Sequence, residues 1–136
     1  MPVAGYSGTP LIKKLGITES MKILLINAPE NYFDLLEKNI HKQLTDEKTT
    51  PDFIHLFAKK NHDFITEMKK IKKICLANPN IIIWISWYKK SSGIATYITE
   101  NIIRNYALKN DLVDIKVCAV SSEWSGLKLV VPKNKR

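Results

Sequence analysis

Lys89-Lys90-Ser91-Ser92-Gly93 holds the residue types best suited to ligand chemistry in this 136-residue chain. Two ammonium groups can neutralise an anion, and two hydroxyls can donate hydrogen bonds to it. The glycine lets the backbone turn so that successive N–H groups converge on one point. That pattern fits non-covalent capture of a phosphate or a carboxylate. A plainer account fits the same residues: a polar strand-to-helix loop with its tight turn at Gly93. Asn27 and Glu30 follow the first predicted strand, and Lys59 and Lys60 follow the second, so both pairs would share a sheet crest with this loop. Ser7-Gly8-Thr9 is a further polar cluster, which either folds over that crest or caps the helix after it. The candidate ligand-binding set is therefore Ser7, Asn27, Lys89, Lys90, Ser91, Ser92 and Gly93.

No arrangement points to bond-breaking chemistry. No serine sits in a nucleophile elbow, and neither cysteine has a histidine placed to activate it. Cys75 and Cys118 lie among apolar neighbours, which predicts buried thiols in a reducing cytosol and no disulfide. His41, His55 and His62 have no zinc-ligand spacing, so no metal is expected. His55, between Ile54 and Leu56, reads as a core histidine with its hydrogen bonds satisfied. Asp114 and Glu123 are each isolated and do not form a recognisable acid–base pair. Trp124-Ser125-Gly126 offers an indole either to a ligand or to the core, with Gly126 permitting a bulge.

The elements that must position these residues follow from periodicity. Residues 9–15 predict a short helix with Thr9 as cap, Pro10 at the first helical position and Gly16 at the left-handed end. Residues 22–27 predict a strand. A second helix starts near Asn31 and carries Tyr32, Leu35, Leu36 and Ile40 on one face. A polar loop over 44–51 leads to a strand from Phe53 to Phe57. The stripe Phe64, Met68, Ile71 and Cys75 predicts an amphipathic helix from about His62 to Ala77, with Lys69, Lys70 and Lys73 on its solvated back. Residues 81–87 show no alternation, as expected for a central strand covered on both faces. Trp84 and Trp87 then face opposite sides, both in the core. A helix over 99–109 is expected with Thr99 as cap and an Ile98–Ile103 staple. Residues 115–120 and 127–131 predict two strands too close in sequence to be parallel, hence a hairpin.

Length, composition and charge bound the remainder. A chain of 136 residues with 45% hydrophobic and 25% charged residues fits one globular domain over 1–131, with a basic tail at 132–136 expected to fray. No run approaches the roughly 20 apolar residues of a membrane span, and no signal-peptide pattern opens the chain, so a cytoplasmic, membrane-free protein is expected. The net charge of +8 comes almost entirely from lysine, with Arg104 and Arg136 the only arginines. Base readers favour arginine, so the charge reads either as a solvated surface or as a nucleic-acid contact through Lys59, Lys60, Lys89 and Lys90 beside Trp124.

The order helix, three strand–helix units and a hairpin predicts an α/β, three-layer, Rossmann-like domain. The closing hairpin resembles the second half of class I methyltransferases. That resemblance implies a five-stranded, mostly parallel sheet of order 1-2-3-5-4 with strand 5 antiparallel. The S-adenosylmethionine of that family needs a glycine-rich loop after the first strand, and Asn27-Ala28-Pro29-Glu30-Asn31 has none; no cofactor is expected. Four further segments, GYSGTPLIKKLGI at 5–17, LLINAPENY at 24–32, ISWYKKSSGIAT at 85–96 and LVDIKVCAVSSEWSGLKLVV at 112–131, are similar to a family of small bacterial proteins of unknown function. That resemblance implies the fold and no activity. Three functions compete at this stage: a non-catalytic module binding a small anion or a protein partner, a methyltransferase-like enzyme with an altered pocket, and a nucleic-acid binder.

Overall fold

The computed structural model describes residues 9–46 and 48–136. Its centre is a five-stranded sheet of order β1-β2-β3-β5-β4. The strands are β1 (Ile23–Ile26), β2 (Phe53–Phe57), β3 (Ile82–Tyr88), β4 (Val113–Ala119) and β5 (Trp124–Val130). β1, β2 and β3 pair in parallel, and β5 runs antiparallel between β3 and β4. This is the order and polarity that the resemblance to class I methyltransferases implies.

Two long helices cover one face. These are α3 (Asn61–Ala77) and α4 (Glu100–Lys109). The apolar stripe of α3, from Phe64 through Met68 and Ile71 to Cys75, packs on Ile54, Leu56, Ile83, Ile85, Leu127 and Leu129. Thr99 caps α4, its hydroxyl accepting from the Ile102 amide at 3.3 Å. Ile98 and Ile103 on either side of the cap are fully buried, as a hydrophobic staple requires.

The opposite face carries two single-turn helices, α1 (Leu11–Leu15) and α2 (Tyr32–Leu36). α1 starts one residue later than the sequence predicts, with Pro10 in the cap position. Its end is as expected: Gly16 adopts φ 81°, a left-handed conformation that a side chain would strain. α2 is shorter than its apolar spacing implies. It stops at Glu37, which is itself left-handed, and Ile40 reaches the core from the turn beyond. Trp84 and Trp87 lie on opposite faces, both buried.

The hairpin departs from expectation in two ways. β5 begins at Trp124, so the β4–β5 turn is only Val120 to Glu123. The bulge falls in β4, where Asp114 pairs with Leu129 and Lys116 with Lys128, leaving Ile115 as the extra residue. Gly126 does not bulge. It allows close approach: a Cβ there would lie 3.0 Å from Val120 and 3.1 Å from the Trp84 ring, so those side chains would have to give by a few tenths of an ångström. At the other edge Leu44 forms a bridge to Ile23, so the expected polar loop over 44–51 contributes one residue to the sheet. The segment after Pro132, expected to fray, forms a 3-10 turn at Lys133–Lys135. Lys135 pairs with Asp111, and the Arg136 guanidinium donates to the Val131 carbonyl at 2.8 Å.

Candidate functional site

The carboxyl ends of β1, β2 and β3 form one crest, the usual ligand position in an open α/β sheet. Lys59 and Lys60, both exposed, leave β2, and Lys89 and Lys90 leave β3. The two strands are direct neighbours, with Phe57 paired to Ser86, so the four lysines stand on adjacent strand ends. None of their ammonium groups forms an ion pair among the described residues. Asn27 is exposed just past β1 and adopts φ 57°, taking the left-handed turn that glycine takes in a phosphate-binding loop. β2 lies between it and the lysine loop, a separation of about 10 Å by strand spacing. Ser7 lies outside the described residues.

The lysine–serine loop is more tightly committed than its composition implies. Lys90–Ser92 form one 3-10 turn, and Gly93 leaves it at φ 78°. The Ser92 hydroxyl donates to the Lys89 carbonyl at 2.6 Å and accepts from the Ile94 amide at 3.1 Å. Ser92 therefore shapes the loop and offers no free hydroxyl. Lys89, Lys90 and exposed Ser91 remain available to a ligand. The loop does not feed a helix dipole, because α4 begins only at Glu100. Trp124 is buried, stacked on Tyr88 at 4.0 Å and edge-on to Phe57 at 4.9 Å, so its indole is unavailable as a platform for bases.

Beneath the crest His55 is the satisfied core histidine expected, in a network whose partners, Tyr32 and Ser86, sequence reasoning did not name. The Tyr32 hydroxyl is 2.8 Å from His55 Nδ1, and the Ser86 hydroxyl is 2.7 Å from His55 Nε2. A neutral imidazole donates at one nitrogen and accepts at the other, so one hydroxyl accepts from the ring and the other donates to it. Complete burial lowers the His55 pKa to about 3, and burial raises the Tyr32 phenol above its ordinary range. The groups are those of general-base chemistry, but all three are buried and His55 is stacked on Phe57 at 4.3 Å. They hold α2 on β2 and β2 on β3. The signal was present in sequence: His55 and Ser86 are the polar residues within otherwise apolar central strands, two partners in need of each other.

A second missed feature is a lysine cluster on the α1 side of the hairpin. Lys116 and Lys128 are cross-strand partners, and like charges so placed repel. Lys116 also donates to the Lys14 carbonyl at 3.1 Å. The Lys128 ammonium is held below its ordinary pKa by partial burial and then by Lys116. Burial raises the nearby Cys118 thiol, while Lys14, Lys116 and Lys89 act on it in the opposite direction. Lys89 thus joins this cluster to the crest.

Among the described residues no group of three or more His, Cys, Asp or Glu side chains could hold a metal. Both cysteines are free. No helix among the described residues is long and apolar enough to cross a membrane. Against solved structures the chain is similar to an uncharacterised protein from Listeria monocytogenes serotype 4b, with TM-score 0.56 and 9% identity over 93% of this chain and 69% of that one. It is also similar to a protein in the NADB-Rossmann superfamily from Streptococcus agalactiae, with TM-score 0.51 and 8% identity over 90% and 68%. The fold is Rossmann-like. At these identities the likeness carries the fold alone. No protein-family model and no curated protein matches the sequence.

The residues at the first crest loop do not suit a nucleoside cofactor. Pro29 has no N–H, α2 has a single turn, and β2 ends in Lys59 and Lys60 where a ribose would need an acceptor.

Proposed function

We infer that this protein is a non-catalytic Rossmann-like module that binds a small phosphate- or carboxylate-bearing ligand at the crest between β2 and β3. The observation that carries this reading is the set Lys59, Lys60, Lys89 and Lys90 on adjacent strand ends with no carboxylate paired to any of them among the described residues. Such a cluster is self-repelling until an anion neutralises it. Lys89 and Ser91 sit beside the left-handed turn at Gly93, so the ligand meets both ammonium and hydroxyl donors.

The test is a thermal-shift panel of phosphate, pyrophosphate, nucleotides, simple carboxylates and S-adenosylmethionine on the wild type and on Lys89→Ala/Lys90→Ala. A ligand at 100 times its dissociation constant adds about 2.7 kcal/mol, a shift of several degrees for a domain this size. A shift with phosphates or carboxylates that the double variant abolishes supports the reading. A shift that the variant retains removes the crest from it. Saturable binding of S-adenosylmethionine would replace it with the methyltransferase-like alternative, and a flat panel would leave the protein-partner alternative.

One observation favours a second reading. Lys14, Lys116 and Lys128 carry positive charge from the crest down the hairpin face, as a longer polyanion would require. With Trp124 buried, such binding would rest on phosphates alone and fall steeply with salt. Oligonucleotide affinity unchanged between low and physiological salt counts against it.

A further inference from the structure

The opposite end of the sheet holds a cleft of about 240 Å³, away from every candidate residue at the crest. It lies where the carboxyl ends of α3 and α4 meet the turn before β3 and the end of β5. Its apolar lining comes from Leu76, Pro79, Leu112 and Val131. Leu112 and Val131 are buried, while Leu76 stands 82% exposed at the mouth. Lys72, Lys135 and Arg136 stand at the rim with one acidic side chain, Asp111. Lys135 pairs with that carboxylate at 2.5 Å, and Lys135 and then Lys72 hold it below its usual pKa.

These cations are not spent on capping the helices. The last carbonyls of α4 are already satisfied, Ala107 by the Asn110 and Leu112 amides and Tyr106 by the Asn110 side chain. At the end of α3 the Asn78 amide serves Ile74. Lys135 is committed to Asp111, which leaves the Lys72 ammonium and the Arg136 guanidinium with no carboxylate partner among the described residues. Ligand sites combine an apolar wall with a few placed polar groups, and this volume is under the roughly 300–1,000 Å³ typical of drug-sized ligands.

We propose that this cleft is a second binding site, specific for a small amphipathic monoanion whose hydrocarbon lies on Leu76, Pro79, Leu112 and Val131 and whose carboxylate meets Lys72 and Arg136. The site is independent of the crest.

Octanoate is the probe, with octanol, octylamine and inorganic phosphate as controls, read by titration of amide and methyl NMR shifts on the full chain. Saturable octanoate shifts centred on Leu76, Asn110 to Leu112 and Val131 are expected, with octanol and phosphate at least tenfold weaker there. Lys72→Glu, a change at an exposed position, weakens octanoate at least tenfold and leaves the rest of the spectrum in place. Lys89→Ala/Lys90→Ala leaves octanoate binding unchanged, which separates this site from the crest. Equal response to octanol removes the charge argument, and equal response to phosphate removes the apolar one. Shifts at the crest, no saturation, or an unchanged affinity in Lys72→Glu each overturn the proposal.

Discussion

On the α3–α4 face every buried side chain is apolar, whereas on the α1–α2 face the sheet meets its cover through directed hydrogen bonds. The lengths of the helices account for the difference. α3 and α4, at 17 and 10 residues, present continuous stripes that dock by burial alone. α1 and α2, at five residues each, are too short to hold themselves together. Each therefore has one anchoring bond to a central strand. The Trp84 indole donates to the Leu15 carbonyl of α1 at 2.9 Å, and Tyr32 of α2 bonds to His55. Where the covering helices are single turns, polar groups that must be satisfied together fix their position beside an apolar core of Phe53, Phe57, Trp84 and Trp124.

Acid breaks this comparison most strongly. The folded His55 pKa near 3 lies below the ordinary value of 6.5, so between those pH values the unfolded chain binds the proton that the folded chain refuses. The contribution is intact above pH 6.5 and is lost as pH falls toward 3, by several kcal/mol in all. Urea midpoints measured from pH 7 to pH 4 should fall for the wild type and fall less steeply for His55→Gln, which has no imidazole to charge. Parallel slopes would assign the acid sensitivity to carboxylates.

Phe64→Ala probes the apolar face. Phe64 is fully buried, edge-on to Tyr106 at 5.3 Å, and its loss should cost about 3–5 kcal/mol in chemical denaturation, independent of pH between 5 and 8. Tyr32→Phe removes a single oxygen from the other face and leaves His55 Nδ1 unpaired, with an expected cost of about 1–3 kcal/mol. Its double-mutant cycle with Ser86→Ala should show a coupling of at least 0.5 kcal/mol, because both hydroxyls share one ring. Simple additivity would mean that they act separately. Thr99→Ala should cost about 1 kcal/mol, the usual worth of a helix cap, without altering ligand response at the crest.

The apolar face was legible in sequence almost residue by residue, since periodicity reports burial against a layer. The α3 stripe, the Thr99 cap, the unalternating β3 and the closing hairpin are all local signals, while the place of β5 between β3 and β4 came from the resemblance to class I methyltransferases. The other face was less legible because its features are relations between distant residues. Tyr32, His55 and Ser86 come together only once β2 and β3 are set in register and α2 is folded over them. The Lys116–Lys128 pair depends on a bulge at Ile115 that no turn residue announces. Trp124 joins β5 where it stacks on Tyr88, which starts the strand three residues before the Leu127 expected to open it. At the crest, the lysine–serine loop was located correctly, but the commitment of Ser92 to its own turn depends on hydrogen-bond geometry that composition does not carry.

The two margins of the sheet also have a consequence for crowded solutions. Beyond β1, the Leu44 bridge and the Thr45 amide, which donates to Ile23 at 2.8 Å, occupy backbone groups that a foreign strand would need. Beyond β4, the extra residue at Ile115 kinks the strand and Lys116 places a charge beside exposed Ile115 and Val117. An incoming strand would meet an occupied margin on one side and a bent, charged one on the other. The chain can thus display bare isoleucine and valine without offering a template for fibre growth.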